Sequence, residues 1–271
     1  MRQHDPVPDA LRYSVNAYNT ATESANKIHD DAVAKNLGFR GGLVPGVDVY
    51  AYLCHIPAEQ WGRDWLTRGT ITATFASPVY DGETVEVEGV AAAANVIEMT
   101  LTDPNGGFCA SGAATLVEGG SAEPPDAADW PDFEADGNRE PASPETLTSI
   151  PMGWLEVGFH ADKAFAYLHD IREQAAVFRN DGLAHPGWLL RYCNFVLTSN
   201  FVLGPWIHVQ STTQFFSAVE DGERVQTRAK VSDVTETKGH KFVDLDILQL
   251  ANGERPIARV AHRAIYQPRG T

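Results

Sequence analysis

The stretch SPVYDGETVEV, residues 77–87, returns as SAVEDGERVQT at 217–227, a shift of 140 residues. The same shift pairs His29-Asp30 with His169-Asp170 and Gly42-Leu43 with Gly182-Leu183. It also pairs Tyr52 with Tyr192, Thr72 with Thr212 and Phe75 with Phe215. Further on the shift grows to 147, where Gly106 meets Gly253 and Ala114 meets Ala261. A hairpin seven residues longer in the second copy accounts for the change. So many matches in one register mean an internal repeat: two copies of one structural unit, residues 1–117 and 150–271.

Between the copies, residues 118–145 hold nine acidic residues, five prolines and one arginine. Such a segment buries little apolar surface and reads as a linker, 118–149, with Trp130 and Phe133 as its only anchors to a surface.

Each copy carries the same order of patterns. A short strand is expected at 11–16 and at 152–159. One apolar helix follows, over about 46–56 in the first copy and 187–202 in the second. Alternating runs such as TITATFASPV and RVQTRAKVSDV have the period of strands. Asp81-Gly82, Asn105-Gly106 and Asn252-Gly253 are hairpin turns. One helix laid across an antiparallel sheet is an α+β unit. Each unit leaves a sheet edge or face to be covered, so the copies should pack side by side.

Bulk composition narrows the function. The chain has 271 residues and a formal charge of −15, which argues against nucleic acid or an anionic membrane surface as partner. No apolar run reaches the ~18–20 residues of a membrane span. The N-terminus is polar and has no signal-peptide pattern. Cys54, Cys109 and Cys193 are far apart and form no CxxC pair, so neither a disulfide framework nor a metal site is expected. A reducing cytoplasm is the expected setting. No GxGxxG, GxxxxGK[ST], HExxH or GxSxG run occurs, so no cofactor is called for.

The stretch ESANKIHDDAVAKNLGFRGGLVPG, residues 23–46, sits just before the first helix. With the repeat around it, the chain resembles the hot-dog superfamily in its double form: two antiparallel sheets, each wrapped around a central helix. Within that superfamily, residues 24–46 resemble the signature of MaoC-like (R)-specific enoyl-CoA hydratases. Asn26 and His29 fall on that signature's Asn and His, Asp31 on a later Asp, Phe39 on its Phe, and Val44-Pro45-Gly46 on its Val-His-Gly. Ser24 stands where the family has its catalytic Asp, and Lys27 where it has Pro. The second copy keeps His169 but has Ala164 and Ala166 at the Asp and Asn positions. It also carries His185 before Pro186-Gly187, which resembles the helix start of polyketide-type dehydratases, with Leu190 in place of their acid.

Hydration of a 2-enoyl thioester needs a base for water, an acid for the α-carbon and donors for the thioester oxygen. The resemblance makes His29 the proton-transfer group, Asn26 its orienting partner and Asp31 a catalytic candidate. It places the thioester oxygen at Gly46 and Val47, where the helix N-terminus offers free N–H groups. Ser24, His185 and Asn194 are candidates for substrate binding. Glu23, Asp30 or Asp31 would have to supply the carboxylate that Ser24 lacks. Asp48 and Asn194 are the central-helix groups a thioesterase would use. The expected partner is an acyl-CoA or acyl-carrier thioester, and a homodimer of double units is a further expectation. The site is expected in the first copy, with an activity limb near the ordinary imidazole pKa of about 6.5. An acyl-CoA thioesterase and a non-catalytic acyl-binding protein are the alternatives.

Overall fold

The computed structural model describes residues 8, 10–36, 38–120 and 122–270. In the first half, β1 (Leu11–Asn16) leads through a 3-10 turn at Lys27–His29 to helices α1 (Asp31–Asn36) and α2 (Gly46–Arg68). Strands β2 (Gly69–Phe75), β3 (Thr84–Ala93), β4 (Val96–Thr102) and β5 (Phe108–Leu116) complete it. The connection contributes β6 (Glu140–Pro141) and α3 (Pro144–Ser149). The second half has β7 (Leu155–Gly158), α4 (Ala161–Asp170), α5 (Ala176–Arg179) and α6 (Pro186–Asn200). Then come β8 (Phe201–Val202), β9 (Ile207–Phe215), β10 (Arg224–Thr237), β11 (His240–Ala251) and β12 (Arg255–Gln267).

The repeat is visible in the strand order. One ten-stranded antiparallel sheet runs β1-β3-β4-β5-β2-β9-β12-β11-β10-β7, a palindrome in which each strand of the first half has its counterpart in the second. The two expected sheets are therefore continuous. Each half ends in a strand with unpaired N–H and C=O groups, and β2 pairs with β9 to satisfy both edges. Thr72 lies opposite Thr212, its own partner under the 140-residue shift, with their hydroxyl oxygens 3.1 Å apart. A local two-fold axis passes between them. The longer second-half hairpin is β10–β11.

Helix α2 packs on β2, β5 and β9, and α6 on β10 and β7. The two helices also touch each other. One continuous apolar core takes in both helices and both half-sheets. Helix α2 runs past the expected end at residue 56. Pro57 stays inside it, and the break comes at Gly62, whose φ of 55° is left-handed. Burial of Trp61, Trp65 and Leu66 beyond the proline outweighs its missing N–H.

The acidic connection lies on the outer face of the second half-sheet. Along β11, Leu245 and Ile247 belong to the main core, whereas Leu248 and Leu250 meet the buried Trp130. The Trp130 indole N–H donates to the Asp246 carbonyl at 2.8 Å, and Lys230 sits 4.4 Å above the ring. Phe133, the other expected anchor, remains 45% exposed.

Two outcomes are expected. Cleavage after the exposed Glu118 or Glu123 should leave two fragments that co-elute in gel filtration, because β2–β9 and the shared core hold them. Fragments that separate under native conditions would contradict this. Trp130→Ala should lower stability by about 3 kcal/mol, the usual cost of removing a large aromatic from a packed site, measured by urea unfolding.

Candidate active site

The loop before α2 is tied down residue by residue. Asn26 caps the 3-10 turn, its Oδ1 accepting from the Ile28 N–H at 3.5 Å. That oxygen also accepts from the Trp206 N–H at 3.3 Å, and Asn26 Nδ2 donates to the Trp206 carbonyl at 2.9 Å. Asn26 thus clamps the first-half loop to the second half. With its amide engaged in this way, Asn26 fixes the turn that carries His29.

His29 is held from two sides. Its carbonyl accepts from Asn19 Nδ2 at 3.1 Å and lies against Gly42, where a Cβ would fall 2.2 Å from it. Only glycine allows that approach. Its ring Nδ1 is 2.7 Å from the Leu43 carbonyl. A carbonyl only accepts, so Nδ1 carries the proton and Nε2 presents a lone pair. Burial lowers the His29 pKa below its ordinary value, opposed by the Leu43 bond and by the charge of Asp48.

Two cavities share Asn26, His29, Pro45, Asn194 and Trp206 as a common wall. The first, of about 280 Å³, is mainly apolar and includes Phe39, Val49, Phe75 and Ile265. It also contains Gly46 and His208. The second, of about 420 Å³, is also mainly apolar but carries charged side chains in its wall: it is lined by Glu23, Arg139 and Arg191, with Ser24 and Val47. The N-terminus of α2 therefore faces both. Its N-cap is Pro45, which gives no side-chain hydrogen bond, so the first N–H groups of the helix are left uncapped. On α6, the buried Asn194 Oδ1 has no hydrogen-bond partner among the described residues.

Asp48, in the first turn of α2, is fully buried. Its carboxylate accepts from Arg191 at 3.1 Å and from the Thr20 hydroxyl, and the Arg191 guanidinium stacks on Tyr167. Burial raises the Asp48 pKa, and Arg191 and Thr20 pull it back. The ion pair cancels a charge that would otherwise offset the positive end of the α2 dipole.

Two expected site residues lie elsewhere. Asp31 is exposed and lines neither cavity. Its Oδ1 accepts from the Gly42 N–H at 2.7 Å, so it fixes the turn that supports His29. Asp30 accepts from the N–H groups of Ala32 and Val33. Of the carboxylates proposed to replace Ser24, only Glu23 borders a cavity. His185 is buried and lines neither cavity. Its Nδ1 accepts from the Gly187 N–H at 3.0 Å, capping its own helix, and its Nε2 donates to Glu173 at 3.2 Å. A Cβ at Gly187 would lie 2.4 Å from the Tyr167 hydroxyl and 2.6 Å from Ala51. The second helix N-terminus is thus capped and packed shut, whereas the first is open. His169 lies exposed beside Asp170. Ser24 borders the second cavity, its Oγ accepting from the Asn26 N–H at 3.1 Å.

Arg191 and Trp206 border the cavities and carry no sequence signal. His208 reads from the sequence as a satisfied strand residue, yet it borders the first cavity. Its Nε2 is 2.8 Å from Ser211 Oγ, which is 2.9 Å from His262 Nδ1, a buried chain. Burial, aided by the nearby His262 and opposed by the Gln210 backbone, holds the His208 pKa well below its ordinary value. Burial pushes His262 down to about 3.

These shifts set a pH dependence. His29, His208 and His262 bind protons less readily folded than unfolded. The unfolded chain therefore takes up more protons as pH falls through about 6.5, and stability drops. Burial alone would raise Glu173, but the bonds from His185 and His55 overcome it and hold its carboxyl well below the ordinary range. Its contribution is lost only below about pH 4.3. The thermal midpoint should therefore fall between pH 7 and pH 5, and His262→Phe should flatten that slope. An unchanged midpoint across this window would contradict the assignment.

The sequence matches no family model and no curated protein. Solved structures do match along the whole chain. A protein named as a MaoC domain dehydratase from Chloroflexus aurantiacus superposes with a TM-score of 0.63 at 9% identity, covering 100% of this chain and 97% of that one. A Mycobacterium tuberculosis protein described as having a double hot-dog fold gives 0.56 at 13%, covering 96% of each chain. A protein named as a thioesterase II from Thermobifida fusca gives 0.51 at 15%, covering 95% of this chain and 92% of that one. The chain has the double hot-dog fold, and its structural neighbours include MaoC-like dehydratases and thioesterases.

Proposed function

We propose that the protein hydrates a 2-enoyl thioester, or runs the reverse dehydration, at the wall shared by the two cavities. One observation carries the reading: His29, whose Nε2 presents a lone pair, and the uncapped N-terminus of α2 belong to the wall shared by two cavities, of which only the second has carboxylate or guanidinium side chains. The first cavity, with no carboxylate, ammonium or guanidinium on its wall, suits the acyl group. The second, with Arg139 and Arg191 on its wall, suits the carrier side of the thioester.

In the forward direction His29 Nε2 takes a proton from water as the water oxygen bonds to C3. Electron density moves through C2 to the thioester oxygen, which the first N–H groups of α2 stabilise. His29 then returns the proton to C2, so water is consumed whole and His29 is restored. Asn194 lines both cavities, and its Oδ1 has no hydrogen-bond partner among the described residues, so in this reading its amide is the acceptor for the attacking water. Among the described residues no carboxylate is hydrogen-bonded to His29, so in this reading one imidazole both removes and returns the proton. This arrangement is weaker than a carboxylate–imidazole pair, and Ser24 is where the second group is lacking.

The test is a panel of 2-enoyl-CoA and saturated acyl-CoA substrates, read for both hydration and free thiol. Hydration without thiol release is expected; thiol release alone would instead favour a thioesterase, with Asn194 positioning the water. His29→Ala should lower turnover about 10²–10⁴-fold, the usual size of a general acid–base contribution. It should change the unfolding midpoint little. The acid limb of activity should lie below pH 6.5, because burial lowers the His29 pKa. Ser24→Asp, placing a carboxylate on the wall of the second cavity, should raise hydration. Full activity in His29→Ala, on any thioester, would refute this reading.

A further inference from the structure

The open end of α2 carries an acidic side chain that takes no part in the hydration steps above. The Asp48 and Val49 N–H groups donate to the Pro45 carbonyl at 2.9 and 3.1 Å. Those of Gly46 and Val47 have no acceptor among the described residues. A carboxylate in the first turn ordinarily turns back to the free N–H groups and the positive end of its helix. Asp48 is turned elsewhere. Its Oδ1 accepts from Arg191 Nη2 at 3.1 Å and from the Tyr167 hydroxyl at 3.5 Å. Its Oδ2 accepts from the Thr20 hydroxyl and lies 3.4 Å from Arg191 Nη2. Arg191 is itself held by the Tyr167 ring, 4.2 Å away, and by Thr20 Oγ1 at 2.7 Å.

This pair is not inherited from the repeat. The 140-residue shift puts Trp188 at the place of Asp48 and Ala51 at the place of Arg191. The first turn of α6 holds no acidic residue. The acid therefore sits at the open helix end alone, and its cation comes from the helix of the other half. No other neighbour can supply that positive charge. The titratable groups facing Asp48 are His29 of the 3-10 turn, Tyr167 of α4 and Tyr52 of α2, and Asp170 acts on Arg191. Burial raises both tyrosines and lowers His29, so all three are neutral near pH 7. Without Arg191, the Asp48 carboxyl is either protonated or an uncompensated anion in the turn that must hold the thioester oxygen.

We infer that Arg191 is a positioning residue for the reaction: by holding and neutralising Asp48, it keeps that carboxylate from the Gly46 and Val47 N–H groups and leaves them to the thioester oxygen. The inference rests on the hydration reading. It adds that the positive end of α2 stays available only because the second half supplies a guanidinium.

Hydration of crotonyl-CoA by the full chain, followed from about pH 6 to about pH 9, tests it; burial moves an unpaired carboxyl into this range. In Arg191→Gln, Asp48 should ionise as pH rises, and its charge then opposes the charge developing on the thioester oxygen. The kcat of this variant should fall about 10–100-fold toward the alkaline end, the effect of a unit charge about one helical turn away at an effective dielectric of about 20. The unaltered protein should show no such fall. Adding Asp48→Asn to Arg191→Gln should abolish the fall and bring kcat back to within about threefold of the unaltered protein, a coupling that only interacting residues show. Arg191 also borders the carrier side, so KM should rise alike in the single and double variants, and the difference between them should lie in kcat. If Arg191 acted only on the substrate, or only tied the halves together, the double variant would be as slow as the single one and neither would gain an alkaline limb. That result would overturn the inference and leave the hydration reading intact. Should Arg191→Gln fail to fold, the double variant, which buries no unpaired charge, decides: near-normal kcat upholds the inference and a large loss overturns it. Absence of hydration by the unaltered protein would remove the hydration reading and this inference with it.

Discussion

The pairing of β2 with β9 is the contact on which the rest of the molecule depends. Each half alone ends in an edge strand with a row of unsatisfied backbone groups, and such an edge is open to pairing with any other chain. Joined at Thr72 and Thr212, the two edges satisfy each other and the sheet becomes continuous. The same contact places α2 and α6 side by side and sets the segment 203–208 of the second half over the loop 17–45 of the first. The clamp from Asn26 to Trp206 and the closeness of His208 to Gly46 both follow from it. Neither cavity exists in one half alone, since each draws its walls from both.

Two copies of one unit would by symmetry make two sites, yet only one helix N-terminus is open. At α6 the chain spends its own side chains on the N-terminal groups: His185 caps Gly187, while Tyr167 and Ala51 fill the space above it. Glu173 then joins His185 to His55 of α2, at 3.2 and 2.7 Å, so this end becomes a buried polar joint between the halves. At α2 the cap is a proline with no polar side chain, and the space in front stays empty of protein. The asymmetry is chemical as well as steric. A capped N-terminus has its N–H groups satisfied and its dipole partly offset, whereas an uncapped one retains both for a ligand.

The architecture was legible because a repeat is a matter of residue identity at fixed spacing. The 140-residue shift gives the strand palindrome, and even the change to 147 finds its place in the longer β10–β11 hairpin. The candidate site was legible only near the glycine-rich stretch, where Asn26, His29 and Gly46, which line the cavities, follow one another locally. Asp31 misled because an acidic residue two positions after a histidine serves a turn as readily as a reaction. Here the Gly42 N–H claims it. His185 misled for a related reason: a histidine before Pro-Gly is a good N-cap, and a cap uses up the ring nitrogen that a ligand would need. Arg191, Trp206 and His208 carried no motif. Their place at the cavities comes from β2–β9 pairing across 140 residues of chain, which no local pattern records. Pro57 shows the converse: a strong local signal, a proline in a helix, overruled by the burial of Trp61 and Trp65.

The same long-range packing explains why polar atoms stay unpaired at the cavity wall. A core free to optimise itself would replace Asn194 and His208 with aliphatic residues, since each buried orphan costs about 1–3 kcal/mol and stability totals only about 5–15. Both residues lie on elements of the second half and both face the open helix end of the first. Asn26 belongs to the same wall and is fully satisfied, so a polar residue there is not unpaired by necessity. The difference lies in what each polar group meets: Asn26 bonds to backbone, whereas Asn194 Oδ1 and His208 Nδ1 have no hydrogen-bond partner among the described residues. They are two of five buried side-chain atoms without a hydrogen-bond partner among the described residues, the others belonging to Gln249, His262 and Tyr266, so the packed core of the second half carries the same cost as the wall.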